Sequence, residues 1–388
     1  MFKKPLTLKN PLSPRKKRVF AFPSGFSGCA WWRYRLPFAK LLKLGSDKLD
    51  IEMSNSAESA ITLGEVKELL NKLDIFSIQA PGHVDSAALI DLFQNQKKKV
   101  IVDYDDYSFD LSPSNPRYTE LGIKENQILD DKGNVIKDFR NMERKFDLKS
   151  NTEKYEAFKY CSKKADLITT TTEHLADYFR KINKNVTVCP NSIDFDVWKP
   201  IKRLAPQEEI RLGWFGGDSH HKDLEIFGQL FPYLQNKYPQ VKFVILGPDV
   251  PYWKPIFKDV DPKKLVWHDW ADLSVYTLTL ASMDWDIGLC PLEDNEFNKC
   301  KSSIKHFEFG SLGIPVVVQN MLPYSLTVNH GKTGFLAKTI EDWIKYVSLL
   351  IEDSILRKNM GQEHYLDIFK NHNLEQHCRS FERAYERL

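Results

Sequence analysis

The sequence predicts an α/β chain built as two Rossmann-like domains with a cleft between them. Three observations carry that expectation. Short apolar runs of strand length recur along the chain, each followed by a segment with helical spacing of its apolar residues. At 388 residues the chain exceeds what one hydrophobic core serves. The alternation also starts afresh near Ile210, with a new apolar strand and a new glycine turn.

Taken in order, residues 18–23 form an apolar strand that runs into the loop Ser24-Gly25-Phe26-Ser27-Gly28, and the segment as far as Leu44 has helical periodicity. Further strands fit 75–79, 99–103 and 167–170, with a helix over 86–96. Between 115 and 152 the pattern breaks into a polar insertion, whose residues 128–136 fit a small hairpin around Asp-Lys-Gly-Asn or a disordered surface loop. The proline-bearing stretch 200–206 is the best linker. Strands then fit 210–215, 241–246, 265–267, 286–289 and 314–318. The division expected is 1–200 and 201–372, with residues 373–388 as a last helix.

Composition excludes several classes. Apolar residues make up 42% and charged residues 28%, which is ordinary globular material, and the net charge of +3 demands no polyanionic partner. Lys3, Lys4, Lys9, Arg15, Lys16, Lys17 and Arg18 crowd the start, as a solvated arm or a patch that meets phosphates. Six cysteines form no CxxC pair and no His/Cys metal spacing, so free thiols and no metal are expected. No apolar stretch approaches the ~20 residues that span a bilayer, and the expectation is a soluble, cytoplasmic protein.

The most informative run is Phe297 to Glu308. It sets Lys301, Lys305 and Glu308 at spacings of four and three, so a helix starting near Asn298 carries all three on one side. Cations and a helix N-terminus, with Ser302, suit a diphosphate, and the carboxylate suits a ribose diol. Upstream, Gly216 and Gly217 let backbone N–H groups approach an anion. His221 and Lys222 follow them.

These motifs resemble the donor-binding end of retaining glycosyltransferases of the GT-B fold, in the glycosyl transferases group 1 class. The resemblance covers nearly the whole chain and is strongest from Ile210 to Leu336. It implies a donor, a UDP-sugar by preference, held against the C-terminal domain and an acceptor against the N-terminal one. It implies transfer with retention, no required cofactor, and a last helix that crosses back to the first domain. Two departures stand out. Histidines occupy the region where the family has an arginine, and Cys300 stands where the first of its two spaced glutamates belongs, with Glu308 matching the second.

In the first domain, Gly25, Gly28 and Arg33 resemble the family's loop near the donor diphosphate, an arginine offering phosphate a planar fork. His83 follows a strand end and points to the same cleft. Asp105 and Asp106 suit acceptor hydroxyls or a helix N-terminus. The catalytic set expected is Lys301, Lys305, His83 and Asp106; Gly25, Gly28, Arg33, Gly216, Gly217, His221, Ser302 and Glu308 hold the donor; Trp31, Trp32 and Asp105 hold the acceptor. That acceptor is a hydroxymethylated pyrimidine in DNA, stacked on the tryptophans, or a saccharide, lipid-linked or protein hydroxyl. An inactive binding module is the alternative from another class. A nicotinamide oxidoreductase is disfavoured, because no GxGxxG opens a helix with an acidic residue about twenty residues on.

Overall fold

The computed structural model describes residues 15–25, 27–54, 63–109, 111–113, 115, 117–124, 146–201 and 208–388. The expected hairpin at 128–136, Lys3, Lys4 and Lys9, and linker residues 202–206 lie outside them.

Two six-stranded sheets, parallel throughout, organise the chain. The first comprises β1 (Lys17–Phe22), β2 (Leu49–Met53), β3 (Ile75–Gln79), β4 (Lys99–Tyr104), β5 (Leu167–Thr170) and β6 (Val186–Val188), in the order β2-β1-β3-β4-β5-β6. The second comprises β7 (Ile210–Phe215), β8 (Val241–Leu246), β9 (Leu265–His268), β10 (Ile287–Cys290), β11 (Val316–Gln319) and β12 (Gly334–Ala337), in the order β12-β11-β10-β7-β8-β9. Helices cover both faces, so the central strands read as continuous apolar runs; every residue of β3 and of β10 is buried. Strand order reverses between β1 and β3 in one sheet and between β7 and β10 in the other. Ligands of such sheets bind outside the carboxyl ends of the strands at these switch points.

The chain crosses between the sheets twice, and the crossings hold each other. The N–H of Ile193 donates to the His372 carbonyl at 2.8 Å, and that of Leu374 returns to the Ile193 carbonyl at 2.8 Å. After the second crossing, the helix Leu374–Glu386 lies on the first domain. Phe381 and Tyr385 meet Phe38 edge-on at 5.6 and 5.7 Å, and the Tyr385 hydroxyl lies 2.6 Å from Ser77 Oγ on β3.

Behind the second sheet, helix Ser354–Asn371 packs so tightly on the Gly313 turn that a Cβ on Gly361 would strike the Gly313 carbonyl. Gly361→Ala is expected to destabilise the protein by about 1–3 kcal/mol, read as a lower urea midpoint at unchanged m-value. An unmoved midpoint would mean that the two backbones have room to part.

Candidate functional site

The second domain contributes a cluster at the carboxyl ends of β7 and β10. After β7 the chain turns through Gly216, where a Cβ would lie 2.7 Å from the Trp214 ring and 2.9 Å from both His220 Cδ2 and Lys305 Nζ. Only glycine allows that approach. At Gly217 the same construction meets nothing within 4 Å.

Lys305 is 8% exposed. Its Nζ donates to the Phe215 carbonyl and lies over the Trp214 and Phe215 rings at 4.5 and 5.0 Å. Burial pulls its ammonium down to about 8. One turn on, burial pushes the Glu308 carboxyl up to about 8, and Oε1 finds no partner among the described residues.

His220 joins this cluster. Its Nδ1 lies 2.5 Å from Asp223 Oδ2, and Asp223 Oδ1 accepts from the Glu293 N–H at 2.7 Å and Asn298 Nδ2 at 2.9 Å. Burial, then the charges of Lys305 and Lys301, hold the imidazole down to about 3. It is therefore neutral, with Nδ1–H donating to the carboxylate. Burial alone would raise the Asp223 carboxyl, but the His220 bond and the Lys301 charge hold it below its usual range. The expected His221 instead meets the Tyr252 ring edge-on at 5.6 Å. Spacing of three brings residues 220 and 223 onto one helical face and turns residue 221 away.

Lys301, Lys305 and Glu308 do not share one helix. A short helix, Glu296–Lys299, is capped by Asn295, and helix Ile304–Ser311 starts after Ser303. Tertiary bonds in the intervening residues override the helical spacing. Cys300 is fully buried against the first domain's core, and its carbonyl accepts from Thr172 Oγ1 at 3.4 Å. Cys300 is thus a packing contact between domains. Lys301, on the non-helical link, lies over the Phe297 ring at 4.7 Å and acts electrostatically on Asp106 of the opposite domain.

The first domain contributes a cavity of about 670 Å³ at the carboxyl ends of β1, β3 and β4. Ser24, Cys29, Gln79, Asp105, Asp106 and Arg117 are among its polar groups. Poor hydration and then the neighbouring Asp106 raise the Asp105 carboxyl to about 7, and Asp106 is also raised. Crowding by the cavity wall, and then both aspartates, push up the thiol of Cys29, a residue otherwise exposed. Cys29 Sγ and the two carboxylates lie within 4.8 Å of one another, the one group among the described residues close enough to share a metal ion. His83 sits exposed at the rim, its Nδ1 3.2 Å from Asp85. Gly25 takes φ +86° in the loop, a conformation suited to glycine, and Gly28 opens the helix capped by Ser27.

Three expected ligand residues are placed elsewhere. Arg33 is fully buried, with Nε and Nη2 on the Asp103 carboxylate at 3.0 and 2.7 Å and Nη1 shared between the Cys189 carbonyl and Asn191 Oδ1. A guanidinium so committed has no fork left for a phosphate. Trp32 is 8% exposed and packs on Trp198 at 5.0 Å, while Trp31 is half-buried against the same core. The π-helical turn Trp31–Arg35 directs these side chains inward, so neither tryptophan lines the cavity.

Asn191, part of the sequence that links the domains, joins the two halves of the site. Its Oδ1 must accept from Arg33, which only donates, at 3.0 Å. Its NH₂ group then donates to Ser302 Oγ at 3.0 Å in the second domain and to Asp105 Oδ1 at 3.3 Å in the first. Spacing gave no signal for this residue. His220 and Asp223 could have been read from their i,i+3 separation after a glycine turn.

No family model and no curated protein matches the chain. Solved structures do. Sucrose-phosphate synthase from Thermosynechococcus elongatus aligns over 96% of this chain and 99% of its own, with a TM-score of 0.65 at 12% identity. Anabaena HepE in complex with UDP-glucose covers 96% and 100%, with TM-score 0.63 and 13% identity. A glycosyltransferase from Rickettsia africae covers 96% and 98%, with TM-score 0.63 and 13% identity. Two parallel sheets in two domains, matched over nearly the full length by these proteins, give this chain the GT-B fold that its motifs resemble.

Proposed function

We propose that the protein transfers a sugar from a UDP-sugar to an acceptor hydroxyl with retention at the anomeric carbon. One observation carries the reading: Lys301, Lys305, the Gly216-Gly217 turn and the partnerless Glu308 oxygen gather at the second-domain edge, and Lys301 acts electrostatically on Asp106 of the first domain. The fold neighbours add support, HepE having been solved with UDP, with UDP and glucose, and with UDP-glucose.

In this reading Lys301 and Lys305 offset the charge that grows on the departing diphosphate. Glu308, protonated at neutral pH by its burial, meets the ribose diol as donor and acceptor. His220, neutral and oriented by Asp223, stands beside Lys305 where the family has an arginine. The bond from the anomeric carbon to the diphosphate oxygen breaks, and the acceptor oxygen bonds to that carbon. The Asp105–Asp106 pair orients the acceptor and takes its hydroxyl proton; a carboxyl near 7 suits that task. Released nucleoside diphosphate, measured with UDP-, GDP- and ADP-sugars, tests donor use, and the anomeric proton coupling of the product tests retention. Release from none of the donors, with no donor binding, would refute the reading.

Affinity for UDP should depend on pH. The protonated form of Lys305 binds the diphosphate, so binding is full below about 8 and falls as the ammonium loses its proton above it. Cys290, Asp223, Lys301, Glu308 and His220 are the charged or titratable groups around it. Kd measured between pH 7 and 9 is expected to rise; a flat profile would remove Lys305 from the diphosphate site.

A further inference from the structure

We infer that the first-domain cavity takes an uncharged, polyhydroxylated acceptor, a sugar ring rather than a phosphate-bearing one. The inference rests on the transferase reading above and names the acceptor class of the same site. Three features of the cavity carry it.

The first is its polarity pattern. Phe22, Ile78, Phe109 and Phe158 give one part of the wall an apolar surface of the kind that receives the C–H face of a sugar. The Asp105 and Asp106 carboxylates provide acceptors for neighbouring hydroxyls. A volume of about 670 Å³ lies within the ~300–1,000 Å³ of small-molecule sites.

The second is Gln79, which lines the cavity and is 4% exposed. Ser24 donates to its Oε1 from the backbone N–H at 3.0 Å and from Oγ at 3.1 Å. The backbone donor fixes the amide orientation, so Nε2 is the free end, and it has no partner among the described residues. A buried donor left open beside a cavity costs free energy until a water or a ligand oxygen meets it, and an acceptor hydroxyl in this cavity supplies that oxygen.

The third is charge. Among the described lining residues Arg117 is the only permanent cation, against Asp85, Asp105 and Asp106. A phosphate in this space would meet two adjacent carboxylates, and such like-charge contacts reject a partner. The raised Asp105 carboxyl fits the same picture, because the pair already resists a second negative charge.

The test uses the full chain and the UDP-sugar that releases most UDP. Release is measured with neutral mono- and disaccharides, with the same sugars bearing a phosphate, and with hydroxymethylated duplex DNA. Neutral saccharides are expected to stimulate release most and to appear as a glycosylated product. Gln79→Leu is expected to raise the acceptor KM about 10-fold, with folding checked by circular dichroism. Greater stimulation by phosphorylated sugars or DNA, or stimulation by no neutral saccharide while UDP-sugar still binds, overturns the acceptor class and leaves the transferase reading standing. Absence of UDP-sugar binding defeats both.

Discussion

Replacing Lys301 by alanine is expected to lower UDP release by about 10²-fold or more, the cost of removing one preorganised group from a developing anion. Lys301 suits the experiment better than Lys305. Its side chain lies over Phe297 on a non-helical link, half-buried, whereas Lys305 also holds the Phe215 carbonyl beneath the Gly216 turn. Truncating Lys305 therefore mixes lost charge with a loosened turn, and Lys305→Met, which keeps the stem, is its better variant. For Lys301→Ala the unfolding free energy should stay within about 0.5 kcal/mol of wild type while turnover collapses. The variant should also shift the pH profile, since burial raises the Asp106 carboxyl and the Lys301 charge offsets part of that rise. Turnover within about twofold of wild type would remove Lys301 from the chemistry.

The second large effect is expected at Asn191. One amide group reaches Arg33, Asp105 and Ser302, so it fixes the first-domain carboxylate against the second-domain link that carries Lys301. Displacements of about 1 Å between reacting groups cost about 10²-fold in rate. Asn191→Ala should therefore lower kcat by about 10- to 100-fold while leaving the donor KM near its original value. A purely structural role would lower the amount of folded enzyme and leave its pH profile in place. The positioning role instead raises the Asp105 carboxyl further, because a bond to the charged form is lost, and the acid limb of the rate profile moves upward. The groups facing Asp105 are Asp106, Arg33, Cys29 and Asp103, and all remain in the variant. Asn191→Asp should be worse than alanine, since it sets a third carboxylate beside Asp105. An unmoved acid limb with unchanged kcat would contradict the positioning role.

The strands were the legible part of the fold. The runs at 75–79, 167–170, 210–215 and 241–246 match β3, β5, β7 and β8, because strands buried on both faces carry their apolar signal without interruption. β2 escaped notice: Leu49–Met53 pairs only with β1 at the sheet edge and alternates with acidic residues. β6 escaped as a three-residue edge strand. At the site, the same periodicity that placed Lys305 and Glu308 on one helix carried Lys301 with them. It failed there because Cys300 and Ser302 are held by the other domain, and one helix's spacing cannot register such bonds. Arg33 failed for a related reason. An arginine near a glycine loop is a phosphate ligand or an ion-pair partner, and Asp103, seventy residues away, decides which. Asn191 was invisible because its role consists of three contacts far apart in the sequence.

The most direct test is calorimetric titration of UDP into the full chain at pH 7, repeated with Lys301→Ala. Saturable binding at one site is expected, weakened about tenfold or more in the variant by the loss of a charge-assisted contact. Absence of binding up to millimolar UDP, or equal affinity in the two proteins, would contradict a diphosphate site built on Lys301.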